Sequence, residues 1–409
     1  MPDPTKKYSF SEFFTEGQFQ TQTETLQKEG KRNQIAIGIP KETSLKETRV
    51  ALVPNNIRTL VGYGHTVVVE SKAGLKSNFA DIDFSEAGAQ VAPDKKTVFD
   101  SDVIVKVTPC TAEELELLKP SQILITPLHI PTVTDAYLQR LKEKRVIAVA
   151  MEYLQAEDGS FPVVRIMSEI AGMSAMLTAA ELLTYSDNGR GILLGGVSGV
   201  PPAKVIILGA GMVGEFATRT ALGLGASVRI FDSDISKLMR FQSNIGRQLH
   251  TSSFNPVYLG YQLMSADVVI GALHSKTGRT PILVTEEMVS KMKPGSVIID
   301  VSIDQGGCIE TSQMTTHDQP TFMKHDVIHY CVPNIPSKVP RTASVAISNI
   351  LTALLVKTGN ATSVESLLYD SKGIRNGVYV YKGCCTNEYL SKRFNLKYSA
   401  LDLLITANF

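Results

Sequence analysis

Ala203-Lys-Val-Ile-Ile-Leu-Gly209-Ala-Gly211-Met-Val-Gly214-Glu-Phe-Ala-Thr-Arg-Thr-Ala-Leu-Gly-Leu-Gly225-Ala-Ser-Val-Arg-Ile-Phe-Asp232 decides the fold. Val205 to Leu208 form an apolar, β-branched run short enough to be a strand buried on both faces. Next comes G-x-G-x-x-G, and then Phe216, Ala217, Thr220, Ala221 and Leu224 at helical spacing. A second β-rich run, Ser227 to Phe231, ends on Asp232, about twenty residues past the first glycine, where a ribose-binding acid belongs. Gly209 permits a tight turn, Gly211 lets a pyrophosphate approach the backbone, and Gly214 lets the helix pack closely on the strand. Met212 and Val213 open the helix, whose free N–H groups and partial positive charge face the phosphates. Glycines alone would describe any βαβ turn. Strand, triplet, helix, strand and acid in this order describe a dinucleotide-binding unit.

Outside this unit, the bounds are those of a soluble α/β protein. A chain of 409 residues is long enough for two domains with separate cores. Lys and Arg total 41 against 40 Asp and Glu, so the net charge of +1 gives no electrostatic reason for a nucleic-acid partner. Met-Pro-Asp-Pro-Thr-Lys-Lys at the start lacks the apolar centre of a signal peptide. The most apolar helical run, read at 343–356, is short of a membrane span and is broken by Ser344, Ser348, Asn349 and Thr352. Five cysteines, an odd number without C-x-x-C, suggest neither a disulfide framework nor a metal site. The expectation is a cytoplasmic protein with no membrane partner and no metal.

In the N-terminal extension, 1–33, Phe10, Phe13 and Phe14 share one face of a short predicted helix, ended by Gly17. The body begins at Gln34-Ile-Ala-Ile-Gly-Ile-Pro40-Lys-Glu42-Thr, a strand entering a polar loop. Strands are predicted at 66–70, 103–107, 123–126 and 146–150, with helices at 55–63, 84–89, 112–118 and 132–143 between them. Such alternation means parallel βαβ units. A helix is predicted from Ser168 to Tyr185, and the glycine-dense stretch 189–202 reads as hairpin and turn. Beyond Asp232, strands are predicted at 267–271 and 296–300 with a helix at 285–292. The tail is read as helical, at 342–357 and 384–394.

Several stretches together carry a resemblance. They are I-G-I-P-K-E at 37–42, E-T-R-V-A-L-V-P at 47–54, V-K-V at 105–107 and L-H at 128–129. Further on come M-S-E-I-A-G at 167–172, G-R-G-I-L-L-G-G-V-S-G-V at 189–200, V-I-I-L-G-A-G-M-V-G at 205–214, I-D-Q-G-G-C at 303–308 and P-N-I-P-S-K-V-P-R-T at 333–342. In order, they resemble the family of alanine dehydrogenases and the NAD(H)-binding subunit of proton-translocating transhydrogenases. His129 and I-D-Q-G-G-C look like the alanine dehydrogenase branch. The resemblance implies two Rossmann-like, doubly wound α/β domains, the nucleotide-binding one (164–340) inserted into a discontinuous substrate domain (34–163 and 341–409). It also implies NAD as cofactor, a small amino acid or 2-oxo acid as substrate, and a homo-oligomer, in this family a hexamer.

The same resemblance assigns residues. Arg49 matches the arginine that binds the substrate carboxylate, a task suited to a planar guanidinium with two parallel bonds to give. His129 follows the strand 123–126, at the end of a sheet where ligands bind, and an imidazole is a side chain suited to general acid/base work. Asp304 matches an aspartate near the reacting carbon. Ser168 and Asn334 match contacts to the nicotinamide end. Lys237, shortly after Asp232, either reaches the adenosine ribose or is a solvated lysine. One position departs from the pattern: the family's second substrate lysine is Thr108 in Lys106-Val107-Thr108-Pro109. Lys106 and Thr108 point to one face of a strand, so Lys106 is the candidate to replace the missing cation. The sequence therefore suggests oxidative deamination of L-alanine, with rate or preference altered at Thr108. The alternatives are an NAD(H)-binding homologue without chemistry and a dehydrogenase of another amino or imino acid.

Overall fold

Val205, Ile206, Ile207 and Leu208 are wholly buried, as their unbroken apolar run requires of a strand covered on both faces. Each such side chain contributes about 1.5–3 kcal/mol by leaving water, which makes this strand the axis of the second core. The computed structural model describes residues 34–44, 46–130, 133–184, 188–275, 278–361 and 363–406. The helix expected around Phe10, Phe13 and Phe14 lies outside them.

In chain order the strands of the first half are β1 (Ala36–Ile39), β2 (Thr66–Glu70), β3 (Gln90–Ala92), β4 (Val103–Val105), β5 (Ile123–Thr126) and β6 (Ile147–Ala150). The middle of the chain supplies β7 (Lys204–Leu208), β8 (Ser227–Phe231), β9 (His250–Ser252), β10 (Val268–Gly271), β11 (Val297–Asp300), β12 (Thr321–Lys324) and β13 (Val327–Tyr330). The tail adds β14 (Val378–Tyr381) and β15 (Cys384–Cys385). Two sheets result. One has the order β15-β14-β6-β5-β4-β1-β2-β3 and the other β12-β13-β11-β10-β7-β8-β9. In each, six parallel strands run in the doubly wound order with a switch point, β1 beside β4 in the first sheet and β7 beside β10 in the second. The nucleotide-type sheet is thus built wholly from mid-chain residues, while the tail returns to the first sheet through β14, antiparallel to β6.

Several expectations need correction. The predicted helix 384–394 is in fact β15 followed by a helix at Glu388–Arg393, whose N-cap Asn387 accepts from the backbone of Leu390. Cys384 and Cys385 pair with β14, and tertiary pairing of so short a segment leaves little periodicity to read. The long helix does not start at Ser168. It runs from Pro162 to Thr184, because proline, lacking an N–H, suits a first helical position, so Ser168 lies in its second turn. Among the described residues this helix, rather than 343–356, is the one long and apolar enough to cross a membrane. Half of its most apolar window is buried inside the protein, and it packs on the helix Met212–Gly223 that follows the glycine turn. β3, the helix Ile235–Ile245 and the antiparallel edge strand β12 were not anticipated.

Candidate active site

The loop after β7 is shaped by what its glycines exclude. Gly209 has φ +116, and a Cβ there would lie 2.5 Å from the Ala272 carbonyl across the switch point. Gly214 sits so close beneath the turn that a Cβ would meet the Gly209 carbonyl at 2.0 Å. At Gly211, by contrast, an added Cβ would touch no protein atom within 4 Å. Gly211 therefore opens onto free space at the N-terminus of the Met212–Gly223 helix, where a pyrophosphate can reach the backbone. Asp232, at the end of β8, is buried, and its two oxygens accept from Ala210 N–H at 2.8 Å and Asp234 N–H at 2.9 Å. The acid thus fixes the glycine turn and keeps lone pairs for a ribose. Lys237 stands exposed one turn into the next helix, near enough for its charge to help hold the His274 pKa below its usual value, after burial as the larger cause. A dinucleotide fits this cradle.

The substrate side is assembled where the two sheets' carboxyl ends meet. Arg49 is buried between them. Its Nε and Nη2 donate to the two oxygens of Glu47 at 2.8 and 2.7 Å, and Nη1 lies 3.3 Å from the Met167 sulfur. A guanidinium has five N–H groups. Glu47 takes one edge, so the Nη1/Nη2 edge remains for a carboxylate. Burial opposes the Glu47 charge, yet the Arg49 guanidinium and the Asn334 amide hold its pKa below the usual value. Asn334, in the left-handed conformation after β13, reaches over to Glu47 at 2.9 Å. Thr48 likewise bonds the Ser337 carbonyl at 2.6 Å. These bonds join the two halves of the cleft.

Asp304 lies in the short turn Val301–Gln305 after β11, open to the cleft but ringed by protein. Desolvation pushes its pKa up, while the charge of His129 and the backbone N–H of Asn334 pull it partly back. His129 after β5 and Asp304 after β11 are therefore close enough across the cleft for the charge of one to act on the other. Ser168 is half-buried in the long helix one residue beyond Met167.

Lys106 and Thr108 stand differently. The Lys106 ammonium is 1% exposed and lies between Glu42 at 2.8 Å and Glu114 at 3.4 Å. Burial lowers its pKa, and the two carboxylates more than restore it. The Thr108 hydroxyl donates to Glu42 and accepts from Ser44 at 2.9 Å. The strand predicted at 103–107 ends at Val105, so the two lie in the turn beyond it and share no strand face; their side chains converge instead on Glu42, which also takes the Val107 N–H at 2.7 Å. The expectation that Lys106 supplies the missing substrate cation is thus not supported by its geometry: its charge is already committed. Glu42 and Glu47 were quoted in the sequence motifs without a role. The signal available was their type, since carboxylates in buried motifs need cationic partners.

Residues 38–171 match the family model described as alanine dehydrogenase/PNT, N-terminal domain, and residues 175–388 match its C-terminal counterpart. The chain belongs to the alanine dehydrogenase/PNT family. Within it, alanine dehydrogenase 2 of Staphylococcus aureus strain USA300 is 40% identical over 379 residues, covering 90% of this chain and 99% of the relative. A solved L-alanine dehydrogenase superposes with a TM-score of 0.83 at 37% identity, over 88% of this chain and 99% of that one. A transhydrogenase from Sinorhizobium meliloti shares the fold at a TM-score of 0.73 and 24% identity, over 87% of this chain and 99% of that one. The two Rossmann-like domains and the NAD cofactor are those of the alanine dehydrogenase/PNT family. Among the described residues no cluster of three His, Cys, Asp or Glu side chains is placed to hold a metal ion.

Proposed function

We propose that the protein is an NAD-dependent alanine dehydrogenase, which converts L-alanine, water and NAD to pyruvate, ammonium, NADH and a proton, and the reverse. The observation that carries this reading is one linked set of groups: Arg49 bonds Glu47, Glu47 bonds Asn334, and the Asn334 N–H and the His129 charge both act on Asp304. NAD, when bound, accepts the hydride from the α-carbon. Gly209, Gly211, Met212, Val213 and Gly214 would hold its pyrophosphate, Asp232 and Lys237 its adenosine ribose, and Ser168 and Asn334 its nicotinamide end.

Arg49 fixes the substrate carboxylate and so orients the α-carbon. The Asp304 carboxylate stabilises the positive charge that develops at the amine-bearing carbon as hydride departs. An imidazole nitrogen of His129 takes a proton from the water that adds to that carbon, and returns it to the departing ammonia. Lys106 and Thr108 act one step back, by holding Glu42 at the switch point of the first sheet. A neutral hydroxyl turned onto Glu42 supplies less charge than a lysine would, which favours slower turnover or a different 2-oxo acid. NADH consumption screened across 2-oxo acids with ammonium tests this: pyruvate should be reduced, and silence towards every acid would instead favour an NAD(H)-holding homologue.

The proposal includes a division into 34–163 with 341–409 and 164–340; the separation of the strands into two sheets supports it, and its first boundary falls inside the Pro162–Thr184 helix. A hexameric assembly and a cytoplasmic location are part of the same proposal. Light scattering on the purified protein measures the first, and fractionation the second.

A further inference from the structure

β5 and β6 run side by side, and the chain leaves each at the same end of the sheet. Beyond β5 it passes through Pro127 and Leu128 to His129. Beyond β6 it makes the short turn Met151–Tyr153, which carries Glu152. One oxygen of Glu152, Oε1, accepts both the Leu128 N–H at 2.8 Å and the His129 N–H at 3.2 Å. His129 itself has φ +49, in the left-handed region that a residue with a Cβ adopts only when its surroundings impose it. The other oxygen, Oε2, is shielded from solvent and has no hydrogen-bond partner among the described residues. Among the described residues, the bonds that Glu152 makes to other residues thus converge on this one turn. Burial raises the Glu152 pKa, which favours the neutral acid, and a glutamine would reproduce its accepting oxygen.

We propose that Glu152 is a positioning residue for His129: its carboxyl clamps the Leu128–His129 backbone in the left-handed turn from which the imidazole acts on Asp304. The proposal rests on the reading of His129 as the proton-transfer group. It adds a residue that the motifs never pointed to, because Glu152 acts through two backbone N–H groups and not through a side-chain pattern. A carboxyl that only filled space would matter to stability and would affect every kinetic parameter together. A clamp on His129 matters to turnover, and matters only while His129 is present.

The test uses the full chain and four variants, Glu152→Met, Glu152→Gln, His129→Ala and the double variant Glu152→Met/His129→Ala. NADH formation from L-alanine gives kcat and KM, and quenching of NADH fluorescence gives cofactor affinity. Glu152→Met should lower kcat on the order of a hundredfold, as displacement of a proton-transfer group does, with NADH affinity within about twofold. Glu152→Gln should stay within about threefold of wild type. The double variant should be no slower than His129→Ala alone, because the clamp has nothing left to position. Additive losses in the double variant, or a Glu152→Met enzyme with wild-type kcat, overturn the proposal. Should Glu152→Met not fold, Glu152→Gln still decides, since a loss beyond about tenfold contradicts an acceptor role. Failure of the underlying reading shows separately, as His129→Ala with near-normal turnover.

Discussion

Glu47 holds Arg49 along one edge only, through Nε at 2.8 Å and Nη2 at 2.7 Å, and thereby sets the direction in which the other edge points. The same carboxylate receives Asn334 at 2.9 Å from the opposite side of the cleft. One buried acid therefore orients the proposed carboxylate-binding residue and ties it to a residue assigned to the nicotinamide end. Glu47→Ala leaves the Arg49 charge buried without a partner, an imbalance that costs about 3–5 kcal/mol. The expected result is a large fall in Tm and higher KM values for both alanine and NAD. Because folding lowers the Glu47 pKa, its contribution is fully present above the unfolded value near 4.5 and is lost as pH falls through the lower folded value. Wild type should therefore lose stability on acidification below about pH 4.5 more steeply than Glu47→Ala, as thermal unfolding across pH will show.

Lys106 should prove a structural cation. Lys106→Met leaves Glu42 in the interior without a cation, while Glu114 keeps Lys95 at 2.7 Å; a loss of about 3–5 kcal/mol is expected, read as a lower denaturation midpoint in urea. Substrate KM in the surviving folded fraction should change little. Thr108→Lys restores a cation beside the site and should raise kcat/KM for pyruvate about tenfold, the worth of one charge-assisted bond over a neutral one. If Lys106→Met instead folds normally and loses only substrate affinity, the ammonium leaves Glu42 during turnover.

The glycine turn separates cofactor approach from folding. Gly211→Ala adds a Cβ that meets no protein atom, so Tm should hold to within about 2 °C while NADH affinity falls about tenfold or more. Gly214→Ala drives a Cβ into the Gly209 carbonyl and should cost about 1–3 kcal/mol through strain. Calorimetry and fluorescence titration on the two variants give the comparison. Equal NADH affinity in Gly211→Ala and wild type would place the pyrophosphate elsewhere.

Asp232 should exclude NADP, since a 2′-phosphate would bring like charge against a carboxylate already anchored by two backbone N–H groups. NAD should bind at least about tenfold more tightly than NADP. Asp232→Ala should narrow that ratio and weaken both cofactors, because it also releases Ala210 in the glycine turn.

How legible this was in the sequence depends on how local each signal is. The dinucleotide unit could be read because Gly209, Gly211, Gly214 and Asp232 are spaced by the geometry of one βαβ unit. Arg49, His129, Asp304 and Asn334 could be named from resemblance, although what links them is tertiary: Glu47 bonds both Arg49 and Asn334, and the Asn334 N–H and the His129 charge act on Asp304. What escaped is what has no pattern. Glu42 accepts from Lys106 and Val107 and Glu152 from the Leu128 and His129 backbone, all distant in the chain, while Glu47 ties its near neighbour Arg49 to the distant Asn334. Lys106 had the right type and the right predicted strand for a substrate cation, and only burial between two carboxylates shows it to be committed elsewhere. β15 was read as helix because two residues of edge strand leave no period.

The central claim is that His129 and Asp304, close across the cleft, carry amino-acid chemistry on bound NAD. The most direct measurement is NADH formation from L-alanine by wild type, His129→Ala and Asp304→Asn across pH. Wild type should reduce NAD, and each variant should be slower by about a hundredfold or more, with NADH binding retained in His129→Ala. Because burial raises the Asp304 pKa above 3.8 and its carboxylate form is the one required, wild-type activity should fall as pH drops through that raised value, a limb absent in Asp304→Asn. A wild-type protein that binds NADH yet turns over neither alanine nor pyruvate with ammonium, at any pH, would contradict the account.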